Sequence, residues 1–471
     1  MSKFDVTKSF FYRWRYWIGY GSIFVLLVGV LYVAGFLIPG EVSSSEESSI
    51  ILSTEVSAMH PWQMNVIDAP FHLLQKASLS LFGVTLLGIK LPALILGLIT
   101  AICMMLLLRR WFSGGIAVLA SILVISTGQF LFLTQNGSPS IFYLFWPTLL
   151  LLMTTLVANR AKWHGVWKIV FFVAAALSLY TPLSVYVLIA IASAILIHPH
   201  LRHIVRKLSR VRLAIAMACA LLILAPLAIN IIHTPTIGLK LLGIPSDWPN
   251  IFSNLQALLL QYFGFLAPGD RSILLPIFGL ASMLVIIYGF LRLCKTYETV
   301  QSHVVLTWAI LLLPVLIINP AFVSIMFVPL FLLFASGLEG ILKRWYDLFP
   351  KNPYARVAGL LPLIVLVSSM MIFGLERYSY TYRYTPEIMQ NFSRDVISIP
   401  EVSTLVVSQE ERKLYEAVAS YKQELRITTQ QPQDKHESYA VTARAYDASR
   451  TPTAIVSSNR AENAARFYVY K

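Results

Sequence analysis

Gly88-Ile89-Lys90-Leu91-Pro92-Ala93-Leu94-Ile95-Leu96-Gly97-Leu98-Ile99-Thr100-Ala101-Ile102-Cys103-Met104-Met105-Leu106-Leu107-Leu108 ends abruptly in Arg109-Arg110. An apolar run of about 20 residues is the length a helix needs to cross the hydrocarbon core of a bilayer. The same construction repeats in both directions along the chain. Cations gather at Lys3, Lys8, Arg13 and Arg15, at Arg160, Lys162 and Lys168, and at Arg202, Arg206, Lys207, Arg210 and Arg212. They gather again at Arg292 and Lys295, and at Lys343, Arg344, Lys351 and Arg356. The alternate turns hold only Lys76, Lys90, Lys240 and Arg271. Basic residues concentrate on the cytoplasmic side of membrane proteins, so this bias predicts a cytoplasmic N-terminus.

The composition agrees. Of 471 residues, 57% are hydrophobic and 13% charged, about half the charge of a soluble protein. The net charge of +14 lies in cytoplasmic turns, where anionic membrane headgroups are the partner. Nucleic acid is excluded as a partner, because no soluble segment interleaves a basic patch with aromatics. Cys103, Cys219 and Cys294 fall within or beside apolar runs and read as small packing residues. No CxxC or Cys/His metal spacing occurs. The first apolar run, 16–38, is too long for a signal-peptide core and reads as a retained anchor.

About eleven spans are expected, near 16–38, 88–108, 115–133, 141–158, 167–180, 183–198, 212–232, 273–294, 303–318, 321–338 and 355–375. An odd number places the C-terminus outside. The fold class is an all-α polytopic membrane protein over 1–376, with long outer loops at 39–87 and 233–272. The first loop opens polar, from Glu41 to Ser49. It closes on Phe71 to Phe82, whose Phe71, Leu74, Leu79 and Phe82 recur at helical spacing and predict a helix along the membrane surface. From 377 charge rises and apolar runs shorten. Strands are expected at 404–407, 425–428, 439–442, 453–456 and 467–470, with a helix over 410–422: a small C-terminal α/β extracytoplasmic domain.

The spans are nearly free of ionisable residues, unlike those of a pump or channel. Acids concentrate instead at Glu41, Glu46, Glu47, Glu55 and Asp68, just past a membrane end. A carboxylate there can act as general base on an acceptor, or hold a divalent cation beside a lipid phosphate. On spacing alone, a solvated acidic loop is the plainer alternative.

Ser45-Glu46-Glu47-Ser48-Ser49 resembles the Asp-Glu motif in the first outer loop of type-C (GT-C) glycosyltransferases. Asp68-Ala69-Pro70-Phe71-His72-Leu73-Leu74 resembles their acid-x-Pro-Pro segment. Leu81-Phe82-Gly83, followed by Lys90-Leu91-Pro92, resembles the pattern that leads into their second span. Later similarities are Pro268-Gly269-Asp270-Arg271 and the segment Pro329 to Leu338. The order of these motifs is similar to that of the protein O-mannosyltransferase and aminoarabinose transferase family, glycosyltransferase family 39. The resemblance implies transfer of a sugar from a polyprenyl-phosphate donor to a glycan, lipid or protein acceptor on the outer face, with inversion. It implies catalytic roles for Glu46, Glu47 and Asp68, and donor-phosphate binding by Arg271 and Lys90 with Asp270 as a local acid. A divalent cation is compatible with such a site but not required by it.

Two departures stand out. Many family members carry an Arg and an Asp in the turn between spans three and four, where this chain has Thr134-Gln135-Asn136-Gly137-Ser138-Pro139-Ser140. The basic residue before the later proline segment is replaced by Ser324-Ile325-Met326. These losses keep open a catalytically inactive relative acting in envelope assembly. A lipid or polysaccharide transporter is the other alternative, but it predicts polar residues within spans and related halves, and neither is seen. His60 and His72 in the first loop, and Trp62, Tyr180 and Trp248 near the outer interface, carry no assignment beyond their position.

Overall fold

The computed structural model describes residues 14, 21, 24–37, 42–56, 65–159, 164–206, 210–263, 279–384, 399–421, 425–430, 438–447, 451–457 and 466–470. Each expected span contains a helix. They are α1 (Phe24–Leu37), α4 (Leu86–Trp111), the pair α5 (Gly114–Ser126) and α6 (Gly128–Gln135), α7 (Phe142–Ala158), α8 (His164–Ser178), α9 (Ser184–Ile197), α11 (Arg210–His233), α14 (Leu280–Lys295), α15 (Val300–Ile318), α16 (Phe327–Leu348) and α18 (Leu360–Tyr384). Between them run α2 (Ser44–Glu55), α3 (Ala69–Phe82), α10 (Pro199–Arg206), α12 (Pro235–Leu241), α13 (Ile251–Phe263) and α17 (Pro353–Ala358). Among the described residues, six helices are long and apolar enough to cross a membrane, or seven if the bent pair α5–α6 is one span.

The helix ends follow local chemistry. Thr85 caps α4 by accepting from the Gly88 amide, and Arg109 and Arg110 in its last turn offset the helix dipole. Pro92 inside α4 cannot donate to the carbonyl four residues earlier. That carbonyl, on Gly88, is taken instead by the Ser78 hydroxyl at 2.7 Å. The proline thus tolerates its position because α3 satisfies the freed acceptor. Between α5 and α6 the chain turns by 56°. Thr127 ends α5 and caps α6 through the Phe130 amide.

The segment containing α16 is the most enclosed span, with 89% of its apolar window buried, against 11% for α11 at the periphery. It crosses α14 where both chains carry glycine. A Cβ on Gly289 would lie 1.9 Å from the Leu333 carbonyl oxygen, and one on Gly337 would lie 2.2 Å from that of Val285. In a bilayer, where helices gain little from the hydrophobic effect, such close backbone approach supplies the packing.

The C-terminal unit matches the expected strands closely: β1 (Thr404–Val406), β2 (Arg426–Thr428), β3 (Tyr439–Thr442), β4 (Ala454–Ser457) and β5 (Arg466–Tyr470), with α19 (Arg412–Tyr421) after β1. The sheet order is β2-β1-β3-β5-β4. β1 is parallel to both its neighbours, and β5 is antiparallel to β3 and β4. This unit packs on the loop layer. Val42, Ile50, Leu79 and Ile89 share one apolar cluster with Leu405, Leu414, Val418 and Phe467. The Ser53 hydroxyl lies 3.2 Å from that of Tyr421. The membrane helix α18 runs on to Tyr384, past the expected boundary at 377.

The first loop differs from expectation in its facing. The polar opening is a helix, α2, and it buries Glu46, Glu47, Ser49 and Ser53. On α3 the apolar spacing holds, yet only Phe71 and Leu79 face inward, while Leu73, Leu74, Leu81 and Phe82 are exposed. His72, Gln75 and Ser78 are buried instead, because they bond Ser49, the Gly137 carbonyl and the Gly88 carbonyl.

The α14–α16 crossing yields a test. Gly289→Ala forces the two backbones apart at a cost of about 1–3 kcal/mol, the usual range for overpacking. A lower thermal unfolding midpoint in detergent is expected. Gly115→Ala, where an added Cβ meets nothing within 4 Å, leaves the midpoint unchanged.

Candidate active site

The capping box Ser43-x-x-Glu46 starts α2 and fixes one carboxylate. The Ser43 amide donates to Glu46 Oε2 at 2.7 Å, and the Glu46 amide donates to Ser43 Oγ at 3.2 Å. The other oxygen, Oε1, accepts from the Gly137 amide at 2.6 Å and pairs with Lys90 Nζ at 3.4 Å. Lys90 donates in turn to Gln135 Oε1 at 2.8 Å. Both charged side chains are 0% exposed. Gly137 must be glycine for this approach, since a Cβ there would lie 2.6 Å from the Ile89 carbonyl oxygen. Asn136 adds a second tie, accepting from Ser43 Oγ at 3.2 Å and donating to Ser45 Oγ at 3.1 Å. The turn between α6 and α7 is therefore bound to α2 and α4 without a charge of its own.

The network continues onto α3. Gln75 Nε2 donates to the Gly137 carbonyl at 2.8 Å, and Gln75 Oε1 accepts from Ser49 Oγ at 2.6 Å. His72 Nδ1 lies 3.4 Å from the same hydroxyl. Because Ser49 spends its proton on Gln75, His72 must carry hydrogen on Nδ1 to donate there. Burial pulls the His72 pKa down to about 4, so the ring is neutral at physiological pH.

One helical turn before His72 stands Asp68. It occupies the N-cap position of α3, yet its backbone is left-handed, at φ 53° and ψ 23°, and its side chain makes no cap bond. Its amide is held by the Tyr180 carbonyl at 2.9 Å. Its carboxylate is turned inward, 7% exposed, towards the turn between α8 and α9. Thr181 hydrogen-bonds that carboxylate, and Thr181 Oγ1 itself accepts from Trp146 Nε1 at 3.1 Å. Tyr143 is near enough for the charge of Asp68 to act on it. Among the described residues, Oδ1 has no hydrogen-bond partner. Burial raises the Asp68 pKa to about 7, with the Thr181 bond opposing the shift.

Two carboxylates from one loop thus sit in opposite environments. Glu46 is saturated by donors and a cation; Asp68 is desolvated with one oxygen unsatisfied. They do not touch: α3 links them through Asp68, His72 and Gln75, which share a helix face. Glu47 is buried beside Glu46 in the first turn of α2. Lys90, expected beside the donor phosphate, is enclosed and committed to Glu46 and Gln135. Asp270 and Arg271, like His60 and Trp62, lie outside the described residues. Among the described residues, no three His, Cys, Asp or Glu side chains converge as a metal site. Sequence reasoning missed Ser49, Gln75, Gln135, Asn136, Gly137 and Thr181. Only the Ser43-x-x-Glu46 spacing carries a local signal, that of a helix start.

Residues 69–229, about a third of the chain, match the family of dolichyl-phosphate-mannose-protein mannosyltransferases. No curated protein sequence matches the chain. Among solved structures, it is similar to ArnT from Cupriavidus metallidurans in the apo state, at 13% identity and a TM-score of 0.51, over 96% of this chain and 98% of that one. ArnT bound to undecaprenyl phosphate matches equally well. The archaeal oligosaccharyltransferase AglB from Archaeoglobus fulgidus, solved with an inhibitory peptide and a dolichol-phosphate, matches at 16% identity and a TM-score of 0.52 over 87% of this chain. The present chain spans 64% of that AglB chain. These likenesses show that the chain shares the fold of ArnT and AglB, that of the type-C (GT-C) membrane glycosyltransferases.

Proposed function

We propose that the chain is a glycosyltransferase that moves a sugar from a polyprenyl-phosphate donor to an acceptor on the outer face of the membrane. The observation that carries this reading is Asp68: a strained, desolvated carboxylate with a pKa of about 7. Strain and perturbed pKa values concentrate at functional sites. A base with a pKa near the working pH is also the most effective one. The acceptor gives its hydroxyl or amine proton to Asp68 as its heteroatom attacks the anomeric carbon of the donor. The bond from that carbon to the phosphate oxygen breaks, and polyprenyl phosphate leaves with the electron pair. A single displacement inverts the anomeric centre and needs no covalent intermediate.

Glu46 and Lys90 act in this scheme as positioning residues, holding α2 and the α6–α7 turn against the start of α4. Glu47, buried beside them in the first turn of α2, is proposed as the second carboxylate of the acceptor site. Arg271, with Asp270, is the proposed contact for the donor phosphate, as the resemblance implies. The acceptor is a glycan, a lipid or a protein. The solved neighbours favour the lipid-phosphate class of donor, since ArnT is solved with undecaprenyl phosphate and AglB with dolichol-phosphate.

In proteoliposomes supplied with radiolabelled polyprenyl-phosphate sugars, Asp68→Asn should lower kcat by about 10²–10⁴-fold, the usual share of general base catalysis. The wild-type rate should climb as pH rises through about 7, because the base works ionised. Stability moves the other way. The folded pKa lies above the ordinary aspartate value of 3.8, so this contribution to stability is full below about 4 and is lost as pH rises through about 7. Asp68→Asn should remove that alkaline loss while leaving only the residual turnover. Unchanged turnover would remove Asp68 from the reaction, and intact donor crossing the bilayer would indicate a carrier.

The positioning pair has a different signature. Glu46→Gln or Lys90→Met alone leaves a buried charge uncompensated, a loss of about 3–5 kcal/mol. Each should lower the unfolding midpoint sharply, and the double variant should recover much of the loss. A double variant that is folded and fully inactive would instead put one of the two in contact with the substrate.

A further inference from the structure

A groove of about 680 Å³ runs between α1, the end of α4, α5 and α18, away from the loop site. Its floor is the length of α5, from Gly114 to Ser126, with Leu27 and Met371 on its flanks and Arg109 at its mouth. The lining is almost wholly apolar. Its two hydroxyls are already used: Ser121 donates to the Ala117 carbonyl at 2.6 Å and Ser126 to that of Leu123 at 3.1 Å. The groove therefore asks nothing of a polar ligand and suits a hydrocarbon chain. Thirteen helical residues extend about 20 Å, a little more than the hydrocarbon depth of one leaflet, about 15 Å or half the core. The mouth lies at the arginine-bearing end of α4, where Arg109 and Arg110 are both exposed. One end is thus cationic and at headgroup level, and the rest is greasy and one chain deep.

We propose that this groove binds one acyl chain of an anionic glycerophospholipid from the leaflet on the basic side of the molecule, with its phosphate at Arg109. The charge at the mouth selects the headgroup, and the apolar floor takes the chain. A polyprenyl-phosphate donor is the wrong occupant, because in the proposed reaction its phosphate sits at the opposite end of the spans. Only the exclusion of that donor rests on the proposed function; the fit of an acyl chain to the groove does not. Its inner end is Ser126, next to the Thr127 break from which α6 leads to Gln135 and Gly137. An occupied groove braces α5 against α1 and α18 at the point where that break begins.

The test uses the full chain in nanodiscs containing phosphatidylglycerol or phosphatidylcholine with a photoreactive diazirine in the acyl chain. Crosslinked peptides are then mapped by mass spectrometry. Labelling should concentrate on Val118 and Ile122, and phosphatidylglycerol should exceed phosphatidylcholine by about fivefold, the effect of about 1 kcal/mol per basic residue near the surface. Arg109→Gln should remove that preference, Arg109→Lys should keep it, and Val118→Trp should displace the label from α5. Leu221 and Leu222 on α11, exposed and away from the groove, report ordinary bilayer contact. Equal labelling by the two headgroups would overturn the proposal, as would labelling of α5 no stronger than α11. So would competition by undecaprenyl phosphate where phosphatidylglycerol fails to compete.

Discussion

The buried ion pair of Lys90 with Glu46 ties α2, α4 and the α6–α7 turn together. Two charges removed from water lose several kcal/mol each in solvation, and their attraction repays that only when every remaining polar atom is satisfied. Here the surroundings meet the condition almost fully. The capping box serves one carboxylate oxygen, the Gly137 amide serves the other, and Gln135 accepts from the ammonium. Each of these partners comes from a different element, so the pair is bonded only when α2, α4 and the α6–α7 turn are all in place. It therefore specifies an arrangement more than it adds stability. The other side of α2 carries the consequence outward. Ile50 packs into the cluster shared with Leu405, Leu414 and Phe467, so the C-terminal sheet rests on a helix whose position the ion pair sets.

The same loop holds a second acid under the opposite conditions, and the contrast divides the labour. Environment separates acids of similar intrinsic strength by changing what the charged form gains or loses. Glu46 is surrounded by donors. Asp68 has one hydroxyl, a nearby phenol and an unsatisfied oxygen, so its proton is retained to about pH 7. Pairs of titratable groups driven apart in this way mark where proton transfer is assigned. The strain at Asp68 points the same way. Its left-handed backbone forgoes the cap bond that an aspartate at this position would normally make, and so the carboxylate is aimed at Thr181 and not at its own helix.

Much of the fold was legible because its signals are one-dimensional. Apolar runs such as Gly88 to Leu108, ended by paired arginines, register directly as helices. The short β-branched and aromatic runs Thr404 to Val407 and Phe467 to Tyr470 likewise register as strands. The site was legible only as a neighbourhood. Glu46, Glu47, Asp68 and Lys90 were all picked out, but their roles depend on groups that spacing cannot bring together: the amide of Gly137, the hydroxyl of Thr181, the amide of Gln75. The facing of α3 was hidden for the same reason. Its apolar positions fit a surface helix, but the bonds made by His72, Gln75 and Ser78 decide which side is turned inward. The polar opening of the loop looked solvated because acids and serines usually are, and only their partners on α4 and the α6–α7 turn explain their burial.

Those partners also account for the uncharged turn between the third and fourth spans. The resemblance leads one to expect an arginine and an aspartate there, and their absence raised the possibility of an inactive relative. In this fold the turn lies directly against Glu46, with Asn136 on two serines of α2 and Gly137 on the carboxylate. An aspartate at 136 would bring a second anion to a site that already holds one, with only Lys90 to balance both. Like charges so placed cannot both stay ionised. An arginine at 137 is excluded outright, since even a Cβ there meets the Ile89 backbone. The neutral turn is thus what the Glu46–Lys90 pair requires. Its lack of charge reflects a first-loop carboxylate already committed to structure.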